Sequence, residues 1–245
     1  MPTTAKPTTK PTAQSILADL KLLGSDAYRQ ILLKHGAKDP IYGVKIEHLK
    51  KIQKRIKTDY QLALDLFDTG VYDAMYLAGL IADDARMTKK DLRHWVETAK
   101  SPTLCGYTVA PVAAGSMHAR EIALEWIHSK VENIASTGWT TLSFLVGTTD
   151  DADLDLDELK QLLDRVATTI HGRPNRVRYA MVGFVIAVGC YVKPLTAGAV
   201  AAARKFGKVT VDMGDTACKA PDPIAYIDKV KKRGTLGKKR KTAKC

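Results

Sequence analysis

The stretch Asn175-Arg-Val-Arg-Tyr-Ala-Met-Val-Gly-Phe-Val-Ile-Ala-Val-Gly189-Cys-Tyr-Val192 decides the reading of the fold. Its start is cationic. From Tyr179 onward it is apolar on every side and carries Gly183 and Gly189. A helix without a polar face belongs at the centre of a protein, and this uncharged run is too short for an ordinary membrane span. The next segment, Leu195 to Phe206, is rich in Ala and Gly, whose small side chains let neighbouring helices approach closely, so the two together predict a tightly packed inner layer.

Outward from this centre, apolar residues recur at helical spacing. Ile46, Leu49, Ile52 and Ile56 form one stripe, and Leu156, Leu159, Leu163, Val166 and Ile170 another. Thr88 with Asp91 has the form of a capping box, Asp153 or Asp155 can open a helix, and Gly36 and Gly207 suit C-terminal caps. Only Lys208 to Val211 has a β character, and it is read as an extended connection. The expected fold is all-α, about a dozen helices stacked as pairs in a curved solenoid with disordered basic tails. No crisp repeat period is present, and an irregular bundle gives the same periodicities. The expected division is a disordered leader over 1–12, one helical-repeat domain over 13–230, and a Lys-rich disordered tail over 231–245.

Charge is concentrated at the ends. Of 38 Lys and Arg, eleven lie in residues 1–12 and 229–245, which hold no acid, so the body is close to neutral despite the net +12. Flexible basic tails are electrostatic handles for phosphate. The N-terminus lacks the apolar core of a secretory signal. Cys105, Cys190, Cys218 and Cys245 are far apart and without His at zinc spacing, which argues against a disulfide scaffold or a metal site. A cytoplasmic protein, nucleoid-associated in a bacterium, monomeric, and with neither cofactor nor membrane partner, is expected.

Three constellations have chemical content. Lys45, Lys50, Lys51, Lys54 and Arg55 fall off the Ile46/Leu49/Ile52/Ile56 stripe and form an exposed basic face, either a track for phosphates or a solvated surface. Arg173, Asn175, Arg176 and Arg178, with His171, precede the apolar helix, where cations oppose the helix dipole. A bound phosphate would relieve that conflict, as would ion pairs with the acidic run Asp150 to Glu158. The loop Lys208 to Pro221 holds Asp212 and Asp215, which either orient a ligand or cap and pair locally. Tyr107, Trp139 and Phe184 are candidate stacking surfaces or core residues, core being the natural place for Phe184. No P-loop, GxSxG, GxGxxG or HExxH is present.

Gly43-Val-Lys-Ile46 with its basic helix, the pair from Asp65-Leu-Phe-Asp68 to Ile81, and Asn175 to Gly189 resemble successive helices of the AlkD-type DNA alkylation repair family. Val211-Asp-Met-Gly-Asp-Thr-Ala-Cys-Lys219 is similar to a divergent branch carrying the same name. The resemblance implies a curved solenoid of HEAT-like repeats whose cationic concave face holds duplex DNA. Active members excise cationic alkylated purines without flipping the base, using an aromatic platform and a carboxylate. Where such members read Ser-Trp-Trp-Asp-x-Val-Asp, this chain reads Leu104-Cys-Gly-Tyr-Thr-Val-Ala110, without either tryptophan or either acid. The family's next arginine falls near Trp139 or Thr141. Asp212, Asp215, Tyr107 and Trp139 are the candidates for relocated chemistry, and Phe184 for the family's cleft aromatic. The expected function is DNA binding, with removal of alkylated purines open. The alternative is a non-catalytic helical scaffold binding protein or nucleic acid, RNA included.

Overall fold

The computed structural model describes residues 10–214 and 219–244. The helices are α1 (Ala13–Leu23), α2 (Asp26–Lys34), α3 (Ile46–Ile56), α4 (Tyr60–Asp68), α5 (Tyr72–Ile81), α6 (Lys89–Thr98), α7 (Pro102–Leu104), α8 (Ala110–Gly115), α9 (Ala119–Trp126), α10 (Glu132–Thr148), α11 (Leu156–Thr169), α12 (Asn175–Tyr191), α13 (Thr196–Phe206) and α14 (Pro223–Lys232). No strand occurs among the described residues, and 208–211 connects α13 to the following loop without regular secondary structure. The capping box at Thr88 is present with both bonds made, Asp155 opens α11, and Gly207 ends α13 at φ +63°. No single helix among the described residues is long and apolar enough to cross a membrane.

Two layers run the length of the molecule. One is formed by α5, the segment Pro102–Gly115, α10, α12 and α14, each packed on the next, and α4, α6, α9, α11 and α13 pack behind it. Two apolar clusters fill the space between the layers. They meet at α9, where Ile122 and Trp126 belong to the first while Ala123 and Ile127 belong to the second. The helix expected at the centre is there: eleven of the residues of α12 are buried, and its longest contact is with α10.

Helix α10 is the less obvious core helix, because it carries Ser136, Thr137, Thr140, Thr141, Ser143 and Thr148. Each hydroxyl donates to a carbonyl three or four residues earlier, at 2.6–3.0 Å, so the helix is buried without orphaned donors. Gly138 sets how closely α9 approaches. A Cβ there would lie 2.7 Å from the Ile127 nitrogen and 2.9 Å from the Ala123 oxygen and the Trp126 Cβ. Gly138→Ala is therefore expected to lower stability by roughly 1–3 kcal/mol, the usual cost of overpacking. A denaturant midpoint equal to wild type would show that the crossing has slack.

The expectation of a disordered tail over 231–245 is corrected. Helix α14 runs to Lys232, and the chain beyond it is tied down across α12 and α10. The Gly237 amide donates to the Cys190 carbonyl and the Arg240 amide to the Gly147 carbonyl, both at 2.8 Å. Lys239 Nζ reaches the Val146 carbonyl at 2.9 Å and Asp151 at 2.8 Å. Lys244 Nζ reaches the Ala82 carbonyl at 2.8 Å and Asp84 at 2.6 Å, and Ala243 is buried. Burial pushes the Asp84 carboxyl up to about 6 while Lys244 pulls it down. The tail is ordered because its lysines find carboxylates and carbonyls far away in sequence. At the other end, Thr12 caps α1 and Lys10 pairs with Asp59 at 3.0 Å, so order begins before residue 13, and residues 1–9 lie outside the described residues.

Candidate functional site

Between Pro102 and Gly115 the helix widens. The Ala110 amide donates to the Cys105 carbonyl, five residues back, which makes Cys105–Val109 a π turn. Pro111 sits in the following turn and has no N–H to give the Tyr107 carbonyl, so a regular α-helix is interrupted here. Thr108 is buried against Gly79, where a Cβ would come within 2.7 Å of its Cγ2. The turn thereby presents Gly106 and Tyr107 to the outside. Tyr107 is 57% exposed, and a Cβ on Gly106 would meet nothing within 4 Å. Such widened turns recur at functional sites.

These residues floor one side of a cleft of about 560 Å³. Its opposite wall is a stripe on α10 and α12, namely Ser136, Thr137, Thr140 and Phe144, then Arg176, Tyr179 and Ala180, and His35, Met213 and Lys219 close the ends. The cleft offers cations, hydroxyls and rings, and no carboxylate among the described residues lines it. Cys105 points inward and donates to the Ala99 carbonyl at 3.5 Å; burial pushes its thiol up to about 11, which makes it an inert core thiol.

Arg176 is placed by its own backbone. Glu132, from the first turn of α10, accepts the Arg176 amide at 2.7 Å and so caps the N-terminus of α12, leaving the guanidinium to reach the cleft with Nη1 3.9 Å from Met213 Sδ. The conflict between cations and helix dipole is thus eased by Glu132, and the acidic run 150–158 takes no part in it. That run pairs instead with Arg120, through Asp155 and Glu158, and with Lys239 through Asp151. Asn175 accepts the Asp212 amide and donates to the Asp212 carbonyl, each at 2.7 Å, pinning the following loop to α12. Arg178 bonds Asn175 at 3.3 Å, and Arg173 lines a separate small hollow with Lys130 and Glu132.

Other sequence candidates change place. Phe184 has no exposed surface and Trp139 only 1%; their rings meet at 5.2 Å in the core, so neither stacks on a ligand. Ala110, aligned with an acid of active family members, has no exposed surface either. The Asp212 carboxylate is exposed, accepts the Gly214 amide at 2.8 Å, and does not line the cleft. Asp215 lies outside the described residues. Lys45, which precedes α3, and Lys50, Lys51, Lys54 and Arg55 on it are all exposed but none lines the cleft, and Arg55 pairs with Asp19 at 3.0 Å. Tyr179, Phe144, Lys219, Met213 and His35 are cleft residues that the sequence reading passed over. The spacing of Ser136, Thr140 and Phe144 on α10, and of Arg176, Tyr179 and Ala180 on α12, was the available signal for that wall.

Comparison with known proteins places this geometry. Residues 16–210 match the model of the family described as DNA alkylation repair enzyme. The chain belongs to the DNA alkylation repair enzyme family. Uncharacterised proteins of Listeria innocua and Listeria monocytogenes are each 32% identical to it over 220 residues, spanning 88% of this chain and 95% of theirs. A solved structure, presented as one of "a new family of proteins related to the HEAT-like repeat DNA glycosylases with affinity for branched DNA structures", superimposes with a TM-score of 0.88 at 34% identity, covering 96% of this chain and all of the other. The paired-helix architecture of this family member is therefore the HEAT-like repeat fold.

Proposed function

We propose that this family member binds branched DNA in the cleft and does not excise alkylated purines. The observation that carries the reading is the composition of the cleft wall, with Arg176, Lys219, hydroxyls and exposed Tyr107 and Tyr179 but no carboxylate among the described residues. Cations and hydroxyls hold phosphates, and tyrosine rings stack on base faces. An intact duplex hides those faces, whereas a junction exposes them at the branch point. The affinity of the structural neighbour for branched DNA supports the same ligand. Breaking a glycosidic bond builds positive charge on the sugar, and none of the described residues lining the cleft supplies a preorganised carboxylate to stabilise it. The exposed lysines of α3 would contact the phosphates of an arm leaving the cleft.

The test is equilibrium binding to a four-way junction and to a blunt duplex of the same sequences across a salt series. The junction should bind about tenfold tighter or better, with an affinity that falls as salt rises by roughly 0.9 log unit per log unit of salt for each phosphate held. Equal affinity for the two forms, or binding indifferent to salt, would overturn the assignment. So would binding of structured RNA in preference to the junction.

A further inference from the structure

A second cavity, of about 500 Å³, continues the first along α10 and α12, and Thr140 and Phe144 line both. Its far wall is built by the ordered C-terminal segment. Two kinds of cation occur in that segment. Lys239 and Lys244 are turned inward and consumed by Asp151, Asp84 and main-chain carbonyls. Arg233 and Lys238 are exposed at the rim of the cavity, with no ion pair among the described residues. Arg240 lies between, its guanidinium carbon 5.6 Å from the centre of the Phe144 ring, at the partition shared by the two cavities. Tyr191 and Tyr226, the latter 48% exposed, add rings to the same walls. Gly183 opens the floor, since a Cβ there would meet nothing within 4 Å.

We propose that this second cavity is a binding site for a single-stranded arm of branched DNA, with Arg233 and Lys238 on its phosphates and Tyr226 stacked on a base. The assignment rests on the proposed function. Rings beside a cationic rim are the ordinary platform for an unpaired strand, because every base has a face to stack while the phosphates supply the charge. The volume falls within the roughly 300–1,000 Å³ of small-ligand sites, enough for about one nucleotide and too narrow for a duplex. Continuity with the first cleft lets one strand run from Tyr107 past Phe144 to Arg233. The basic C-terminus then acts as a fixed wall of the site, not as a loose electrostatic tether.

The experiment compares wild type with the double variant Arg233→Ala, Lys238→Ala, which leaves the anchors Lys239, Arg240 and Lys244 in place. The probes are a four-way junction, a duplex with a single-stranded 3′ overhang, and a blunt duplex. For the overhang probe, affinity should fall about tenfold and the salt dependence should become shallower by roughly 1.4, about 0.7 for each of two lost single-strand phosphates. The blunt duplex should change by less than about twofold, and the conservative pair Arg233→Lys, Lys238→Arg should keep wild-type affinity. A thermal midpoint equal to wild type certifies the wall. Unchanged overhang binding, or an equal loss on all three probes, overturns the assignment while leaving the first cleft as it stands. Wild-type protein with no preference for any branched probe overturns the proposed function itself, and this site with it.

Discussion

Asp73→Ala should lower the thermal midpoint by roughly 10 °C, the largest effect of any single substitution considered. The Asp73 carboxylate is 1% exposed and accepts three amides of the segment before α3: Tyr42 at 2.7 Å, Gly43 at 3.3 Å and Val44 at 2.7 Å. Those amides come from a tight passage. Gly43 has φ +78°, and a Cβ there would overlap the Ser25 carbonyl oxygen and sit 2.7 Å from the Arg29 nitrogen. With the loop fixed in that conformation, removing the acceptor leaves buried donors unsatisfied, at about 1–3 kcal/mol each in the worst case. A loss of about 3–4 kcal/mol corresponds to a shift of roughly 2–4 °C per kcal/mol in a chain of this size. Asp73→Asn, which keeps one acceptor oxygen, should fall between the two. Thermal unfolding followed by circular dichroism reads the difference, and an Ala variant within about 2 °C of wild type would mean that water replaces the carboxylate at little cost.

The second large effect is on binding. Arg176→Ala combined with Tyr107→Ala should weaken binding to a four-way junction about a hundredfold, with one ring worth about 1–3 kcal/mol in stacking and one phosphate contact adding to it. Neither change should cost much stability. The bond between Arg176 and Glu132 is made by the main-chain amide, and Tyr107 is 57% exposed. Arg176→Lys keeps the charge but loses the planar fork, so it should retain part of the affinity. Loss confined to the salt-dependent component would assign the whole effect to Arg176 and leave Tyr107 without a role. A double variant that binds like wild type would show that the cleft is not the site.

The helical architecture was legible in the sequence because the stripes at Ile46 to Ile56 and Leu156 to Ile170, the caps at Thr88 and Asp155, and the all-round apolar α12 agree with one another. The site was only partly legible. Periodicity shows that a helix is buried on every side but not which of its aromatics faces a cleft, so Phe184 was rightly favoured as core while Tyr179, at the cleft end of the same helix, gave no signal, and Trp139 on α10 stayed open between core and stacking surface. The hydroxyls of α10 look like surface residues in sequence, and only their bonds back to the preceding turn explain how they line a wall inside the protein. The tail was misread for a similar reason. Eight bases without an acid over 231–245 read as disorder when taken locally, yet the partners of Lys239 and Lys244 include main-chain carbonyls 93 and 162 residues away. Glu132 escaped notice because the acid that caps α12 belongs to α10, and no spacing rule joins them.

The most direct test of the account is release of methylated purines from an alkylated four-way junction by purified protein, scored with the bound fraction of the same junction and with an Asp212→Ala, Asp215→Ala variant alongside. Retention of the junction with purine release no faster than in buffer is the predicted result. Release above buffer that disappears in the variant would contradict it, and would place a working carboxylate in the loop after Val211.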